Sequence, residues 1–156
     1  MSNEELIEKF YSAFKNKDSE TMASCYHPDV VFTDPAFGTL KGNRAKAMWK
    51  MLCISGKDLK VEYKNVSADS NIGSAHWEAD YTFSKTGRKV HNEIDARFKF
   101  KDGLIIEHTD DFNLKKWAGQ ALGFKGKLLG GTAFFRKKLH GQTNHTLSKF
   151  IAENSQ

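Results

Sequence analysis

The chain has 156 residues, 39% hydrophobic and 28% charged, with a net charge of +5. That length suits one domain around one core, and that composition excludes a disordered polar chain. No apolar run approaches the roughly 20 residues a membrane helix needs, so no membrane partner is expected.

Ser2-x-x-Glu5 reads as a capping box opening a first helix, with Leu6, Ile7, Phe10 and Phe14 at helical spacing. The acidic start, Met1 to Glu5, lacks the basic and apolar regions of a signal peptide, so a cytoplasmic protein is expected. Asp18 is a good N-cap for a short second helix with Met22, Cys25 and Tyr26 inward, ended by His27-Pro28. A strand over 29–33 runs into Asp34-Pro35-Ala36-Phe37-Gly38. There a proline that fixes one turn position and a glycine that frees another hold a carboxylate rigidly. Asn43 caps a third helix whose apolar face is Ala45, Met48, Trp49, Leu52 and Cys53. Cys25 and Cys53, the two cysteines, read as reduced core thiols rather than a disulfide or a metal pair.

From residue 58 the apolar period changes from 3.6 to 2, through Leu59, Val61 and Tyr63. Residues 75–84 and 88–101 form the clearest hairpin. A two-residue loop, Thr86-Gly87, pairs Lys85 with Arg88 and puts Trp77, Ala79, Tyr81 and Phe83 on an inner face with Ala96, Ile94, Asn92 and Val90. The outer face then sets Glu78 against Asp95 and Asp80 against Glu93, an unfavourable acidic strip that calls for basic groups from the C-terminal extension or a second subunit. No metal is expected there, because no loop gathers the acids at ligand spacing. Asn92 is the plainly polar side chain on the inner face. Its amide needs either Tyr81 and backbone or a ligand as partner. In the last strand, 104–112, Ile106 and Phe112 favour the face that also carries His108 and Asp110 as inward, so this His and Asp can share a proton or orient one another. Helical pieces follow near 113–121 and 133–152, joined by a glycine-rich connection from Gly123 to Gly131. Three helices followed by long antiparallel strands imply an α+β fold: a strongly bent sheet wrapped round the N-terminal helices as a cone with an open mouth.

The basicity belongs to the tail. Residues 113–156 hold eight Lys/Arg against one acid, Glu153. The tail has no recognised nucleic-acid motif, so nucleic-acid binding is not expected despite a pI near 9.1. Its apolar residues, among them Phe134, Phe135, Leu139 and Phe150, suit docking on the same domain or on a dimer partner. The expected organisation is therefore a cone domain over 1–112 with a helical extension over 113–156.

Phe10-Tyr11-Ser12-Ala13-Phe14, the run from Tyr26 to Pro35, Gly38-Thr39-Leu40-Lys41-Gly42 and Phe100-Lys101-Asp102-Gly103-Leu104-Ile105 together resemble the SnoaL-like, ketosteroid-isomerase-related branch of the nuclear-transport-factor-2-like superfamily. The resemblance implies the cystatin-like cone and a homodimer, expected through the outer sheet face. Ketosteroid isomerases use a strand-end Asp-Pro base, a helix 1 Tyr and a protonated Asp on a late strand. Asp34 matches the base. The Tyr position falls on Phe10 and the second Asp on Ala96, so both oxyanion donors are missing; losing one such donor typically costs roughly 10²–10³ in rate. Steroid isomerisation is therefore not expected. Polyketide cyclases of the family use one acidic group in an apolar pocket, which Asp34 or Asp110 would supply with His108 as proton partner. The Asp-Arg-Asp arrangement of the epoxide-hydrolase relatives is poorly matched by Asp95-x-Arg97, which is reversed in order and faces outward.

The first expectation is an enzyme-like pocket for a small apolar, carbonyl-bearing molecule, working without a cofactor by isomerase- or cyclase-type proton transfer. Asp34 is its expected base and His108 and Asp110 its acid/base or orienting groups. Asn92 and Tyr81 offer hydrogen bonds, and Phe10, Trp49, Trp77 and Phe112 form the walls. The alternative is a non-catalytic binding or dimerisation module on the same fold. Convergence of Asp34, His108 and Asp110 on one cavity separates the two.

Overall fold

A computed structural model describes residues 1–154. Helix α1 (Asn3–Lys15) opens with the expected capping box, the Ser2 hydroxyl accepting from the Glu5 N–H. It buries Leu6, Ile7, Phe10, Tyr11 and Phe14. Asp18 caps α2 (Ser19–Ser24) through the Thr21 N–H. Cys25 already ends that helix, and strand β1 (Tyr26–Asp34) takes in His27-Pro28 rather than starting after it. The proline costs little there, because β1 is irregular between Tyr26 and Val31, where its pairing register shifts. A tight hairpin at Pro35–Phe37 leads to β2 (Gly38–Lys41). The N-cap of α3 (Asn43–Ser55) is Gly42 at φ +57°, with no side-chain cap; Asn43 is its first residue, not its cap.

Strands β3 (Lys60–Ala68), β4 (Ile72–Phe83), β5 (Arg88–Lys101) and β6 (Leu104–Asp111) follow, then α4 (Leu114–Leu122), α5 (Phe124–Leu129) and α6 (Ala133–Asn154). The connection read as glycine-rich thus holds a helix. Gly126 allows it: a Cβ there would collide with the Ala118 carbonyl oxygen, so α5 meets α4 backbone to backbone. The six strands form one curved, unclosed sheet in the order β2-β1-β6-β5-β4-β3, antiparallel except for β1 beside β6. Register shifts in the β1–β6, β3–β4 and β5–β6 pairs mark where it bends.

The β4–β5 loop has four residues, not two. Phe83 pairs with Arg88, and the Thr86 and Gly87 N–H groups both bond the Phe83 carbonyl. The displacement is two positions, so every side chain keeps its expected face while changing its partner. Trp77 faces Ile94, Ala79 faces Asn92 and Tyr81 faces Val90. Outside, His76 faces Asp95, Glu78 faces Glu93 and Asp80 faces His91. The two acid pairs expected from the shorter loop become one. The strip meets basic side chains of its own chain, His76, His91 and Lys116, so its charge gives no reason to require a second subunit. In β6 a register shift beside Phe100 turns Ile105 inward in place of Ile106, after which His108 and Asp110 are buried as expected.

One core lies between α1, α3 and the inner sheet face. A second packs Val90 under Leu114, Trp117, Ala118 and Ala121 of α4, so the extension continues the inner side of the sheet.

Candidate active site

The space between the inner sheet face, α3 and the C-terminal helices is a cavity of about 580 Å³. Its walls are apolar, from Phe14, Phe32, Met48, Trp49, Trp77, Ile94, Phe112 and Trp117 among others. Its polar lining residues include Asp34, Asp110, Tyr81 and Asn92, and Lys85, Lys125 and Lys138 add charged side chains to its walls.

Asp34 ends β1 and turns back on its own loop. Its Oδ1 accepts from the Ala36 N–H at 2.9 Å and the Phe37 N–H at 2.6 Å. The loop is gripped from the other side by α6. His140 Nε2 donates to the Pro35 carbonyl at 2.8 Å, Thr143 Oγ1 to Ala36 at 2.9 Å and Asn144 Nδ2 to Phe37 at 2.9 Å. Arg44 of α3 in turn donates to Asn144 Oδ1 at 3.0 Å. The carboxylate is therefore fixed by its turn, and the turn is fixed by a helix more than 100 positions away in sequence. Asp34 is half-buried and lines the cavity. Burial among protein atoms pushes its pKa up to about 7; the Phe37 N–H opposes this, the negative charge of Asp110 adds to it, and the Ala36 N–H opposes it.

Asp110 sits opposite Ala96 on β5. The position where the family's second acid would stand is filled by a small residue, and a carboxylate stands on the neighbouring strand. Asp110 Oδ1 meets His108 Nε2 at 2.8 Å and accepts from Trp77 Nε1 at 3.3 Å. His108 Nδ1 meets the Tyr26 hydroxyl at 2.7 Å, which accepts from Trp49 Nε1 at 2.8 Å. One proton arrangement that fits all four contacts has the Tyr26 O–H donating to Nδ1 and Nε2–H donating to Asp110 Oδ1. Burial, and then the charge of Asp110, raise the Tyr26 pKa well above its ordinary value, which keeps its proton in place. The His108 ring lies between Phe98, centroids 4.4 Å apart, and Trp49, stacked at 5.8 Å.

Of the expected site residues, Asp34, Asp110, Trp49, Trp77, Tyr81, Asn92 and Phe112 line the one cavity. Two do not. His108 has no exposed surface and stands behind Asp110, so it orients that carboxylate and does not itself reach a ligand. Phe10 is also fully buried, packed edge-on to Trp49 and stacked on Tyr26 behind the wall. Tyr81 accepts from Trp117 Nε1 at 2.7 Å, which leaves its own O–H free to donate. Burial raises its pKa, so the proton stays on near neutrality. The Asn92 amide has no hydrogen-bond partner among the described residues, so the expected contact with Tyr81 and backbone is not made. Asp95 and Arg97 lie exposed on the outer face, away from the cavity, as the reversed motif implied.

Sequence reasoning missed Tyr26, Trp117, His140, Thr143 and Asn144. Tyr26 carried a signal, being an inward-facing residue with a hydroxyl at the start of β1. The α6 residues carried none, since nothing local joins them to the Asp34 turn.

The sequence profile of the SnoaL-like domain matches residues 7–108, most of the chain. The chain belongs to the SnoaL-like domain family. Solved structures share this SnoaL-like fold at low identity. A candidate polyketide cyclase from Pseudomonas putida KT2440 superposes with a TM-score of 0.65 at 19% identity, over 78% of this chain and 98% of that one. IdmH of Streptomyces antibioticus, also a candidate polyketide cyclase, gives 0.62 at 19%, over 74% and 95%. An LEH-like epoxide hydrolase from M. tuberculosis gives 0.59 at 20%, over 83% and 92%. Among curated proteins, an alanine–tRNA ligase of Buchnera aphidicola is 24% identical over 148 residues. The SnoaL-like chain spans 15% of that protein's length. Among the described residues no helix is long and apolar enough to cross a membrane.

Proposed function

We propose that this SnoaL-like protein is a cofactor-independent proton-transfer catalyst of the isomerase or cyclase type, acting on a small, largely apolar molecule that carries a carbonyl. The observation that carries the reading is the pairing, in one apolar cavity, of a carboxylate whose pKa is pushed up to about 7 with two free hydrogen-bond donors. A base is most effective when its pKa lies near the working pH. Asp34 takes a proton from the carbon next to the carbonyl, and the Tyr81 hydroxyl and Asn92 amide hold the oxygen as charge develops on it. Asp110 is aimed by His108 and Trp77. Its charge raises the affinity of Asp34 for the proton and gives a second acceptor across the cavity.

The test is hydrogen–deuterium exchange next to the carbonyl of a panel of β,γ-unsaturated cyclic ketones, followed by NMR in D2O. Wild-type protein accelerates exchange on at least one member, and Asp34→Asn slows it by about 10²-fold or more. Unchanged exchange in the variant contradicts the reading. A second reading, a non-catalytic ligand binder, is favoured by one observation: Phe10 and Ala96 occupy the two oxyanion-donor positions. Binding of these ketones with no exchange above buffer by the wild type decides for it.

A further inference from the structure

The outer face of the sheet carries a cluster that the cavity does not use. His76 and Glu78 lie two apart on β4, and His91 and Glu93 two apart on β5. Glu78 pairs directly with Glu93. Strand alternation turns all four away from the cavity, on the side opposite Trp77 and Ala79. His76, Glu78 and Glu93 each place a ligand atom within 4.8 Å of the other two. His91 joins them: its Nε2 lies 3.2 Å from Glu78 Oε1 and 4.0 Å from Glu93 Oε1. His76 Nε2 lies 2.9 Å from Glu78 Oε2.

We infer that His76, Glu78, His91 and Glu93 form a binding site for a divalent transition metal of the zinc type. Tetrahedral zinc with bonds of about 2.0–2.1 Å to imidazole and carboxylate separates its ligand atoms by about 3.3 Å. The two imidazole–Glu78 distances, 2.9 and 3.2 Å, lie near that edge, while His91 at 4.0 Å from Glu93 stands outside the tight group of His76, Glu78 and Glu93 and turns inward to complete the site. The ligand set of two imidazoles and two carboxylates is one that zinc accepts.

The surroundings are those of a metal site as well. His76 Nδ1 is 2.9 Å from Asp95 Oδ1, and His91 Nδ1 is 2.7 Å from Asp80 Oδ1. A carboxylate on Nδ1 keeps the proton there, the usual second layer around metal-bound histidines, so that Nε2, which now faces Glu78, would release its own proton to take the metal. Both imidazoles have this arrangement, and both present Nε2 to the same Glu78. Lys116 approaches the far oxygen of Glu93, Oε2, at 4.0 Å and leaves Oε1 to the cluster. Two carboxylates directly opposite on neighbouring strands repel, and a dication between them turns that repulsion into a cross-link of β4 to β5. The sequence argued against a metal here because no loop gathers the acids; the four-residue hairpin register gathers them with two histidines instead.

The experiment uses tag-free full-length protein stripped with a chelator. Zn2+ is titrated by calorimetry, and Co2+ is used as a spectroscopic stand-in. One ion per chain binds with micromolar or tighter affinity, Co2+ gives the intense visible bands of a tetrahedral site, and added Zn2+ raises the melting temperature. His76→Ala and His91→Ala each abolish the bands, and Asp80→Asn and Asp95→Asn weaken binding about tenfold or more. All four positions face solvent at least in part, and circular dichroism verifies that each variant is folded. Absence of micromolar binding overturns the inference. So does binding that survives both histidine changes, or one ion shared by two chains. Asp34→Asn leaves the titration unchanged, so failure here and failure of the proposed chemistry are told apart.

Discussion

Single residues around the cavity owe their behaviour to what burial leaves paired. Tyr26 sits in the middle of a chain of donors, with Trp49 on one side and His108 on the other. Tyr26→Phe keeps the ring and removes the oxygen, leaving the Trp49 N–H and His108 Nδ1 buried without partners. Each orphan costs about 1–3 kcal/mol, so urea unfolding should show a loss in that range or above, where a surface change of this size would show almost none. Asp34 is the reverse case. Its folded pKa of about 7 lies above the ordinary 3.8, so the folded state binds the proton more tightly than the unfolded chain. Both forms are protonated well below pH 4, and no penalty exists there. Stability falls as pH rises from about 4 to about 7, and above that the ionised carboxyl costs up to about 4 kcal/mol. Asparagine keeps the Oδ1 acceptor for Ala36 and Phe37 and carries no charge. Asp34→Asn should therefore be more stable than wild type at pH 8, with the gap closing toward pH 4. Equal stability at both pH values contradicts this.

Among the elements, α6 and the β1–β2 turn depend on each other. Gly38 adopts φ +73°, and a Cβ there would come within 3.2 Å of His140 Nδ1. Gly38→Ala meets both the left-handed backbone cost, about 1 kcal/mol, and the clash. Adding His140→Ala removes the clash and leaves the backbone cost. A double-mutant cycle by thermal unfolding should show the two changes costing less together than their sum; strict additivity would mean that α6 does not press on the turn. These elements also show what was legible in sequence. The capping box at Ser2, the Asp18 cap and the change of period at residue 58 depend on neighbours in sequence, and the helices and strands appear where those signals put them. The inner and outer faces of β4 and β5 were legible too, because a displacement of two preserves alternation. The partners across the hairpin were not, since loop length was inferred from one Thr-Gly. The hold of His140, Thr143 and Asn144 on residues 35–37 was illegible, because polar residues on a mostly polar helix announce no partner more than 100 positions away.

For the molecule as a whole, the sheet's two faces divide the chemistry. The inner face, closed over by α3 and the C-terminal helices, makes a low-dielectric space in which a single carboxylate changes character. The outer face gathers charge in water. Strands β1 and β6 supply Asp34 and Asp110, and the helices after residue 112 supply Trp117 behind Tyr81 and the grip on the Asp34 turn. The raised affinity of Asp34 for its proton is a property of that whole enclosure, not of the Asp-Pro motif. The most direct test is a carbon-13 NMR titration of protein labelled at aspartate carboxyls, with Asp34→Asn identifying the resonance. The account predicts one carboxyl that titrates near pH 7 and is missing from the variant. An Asp34 resonance titrating near the ordinary 3.8 would contradict it.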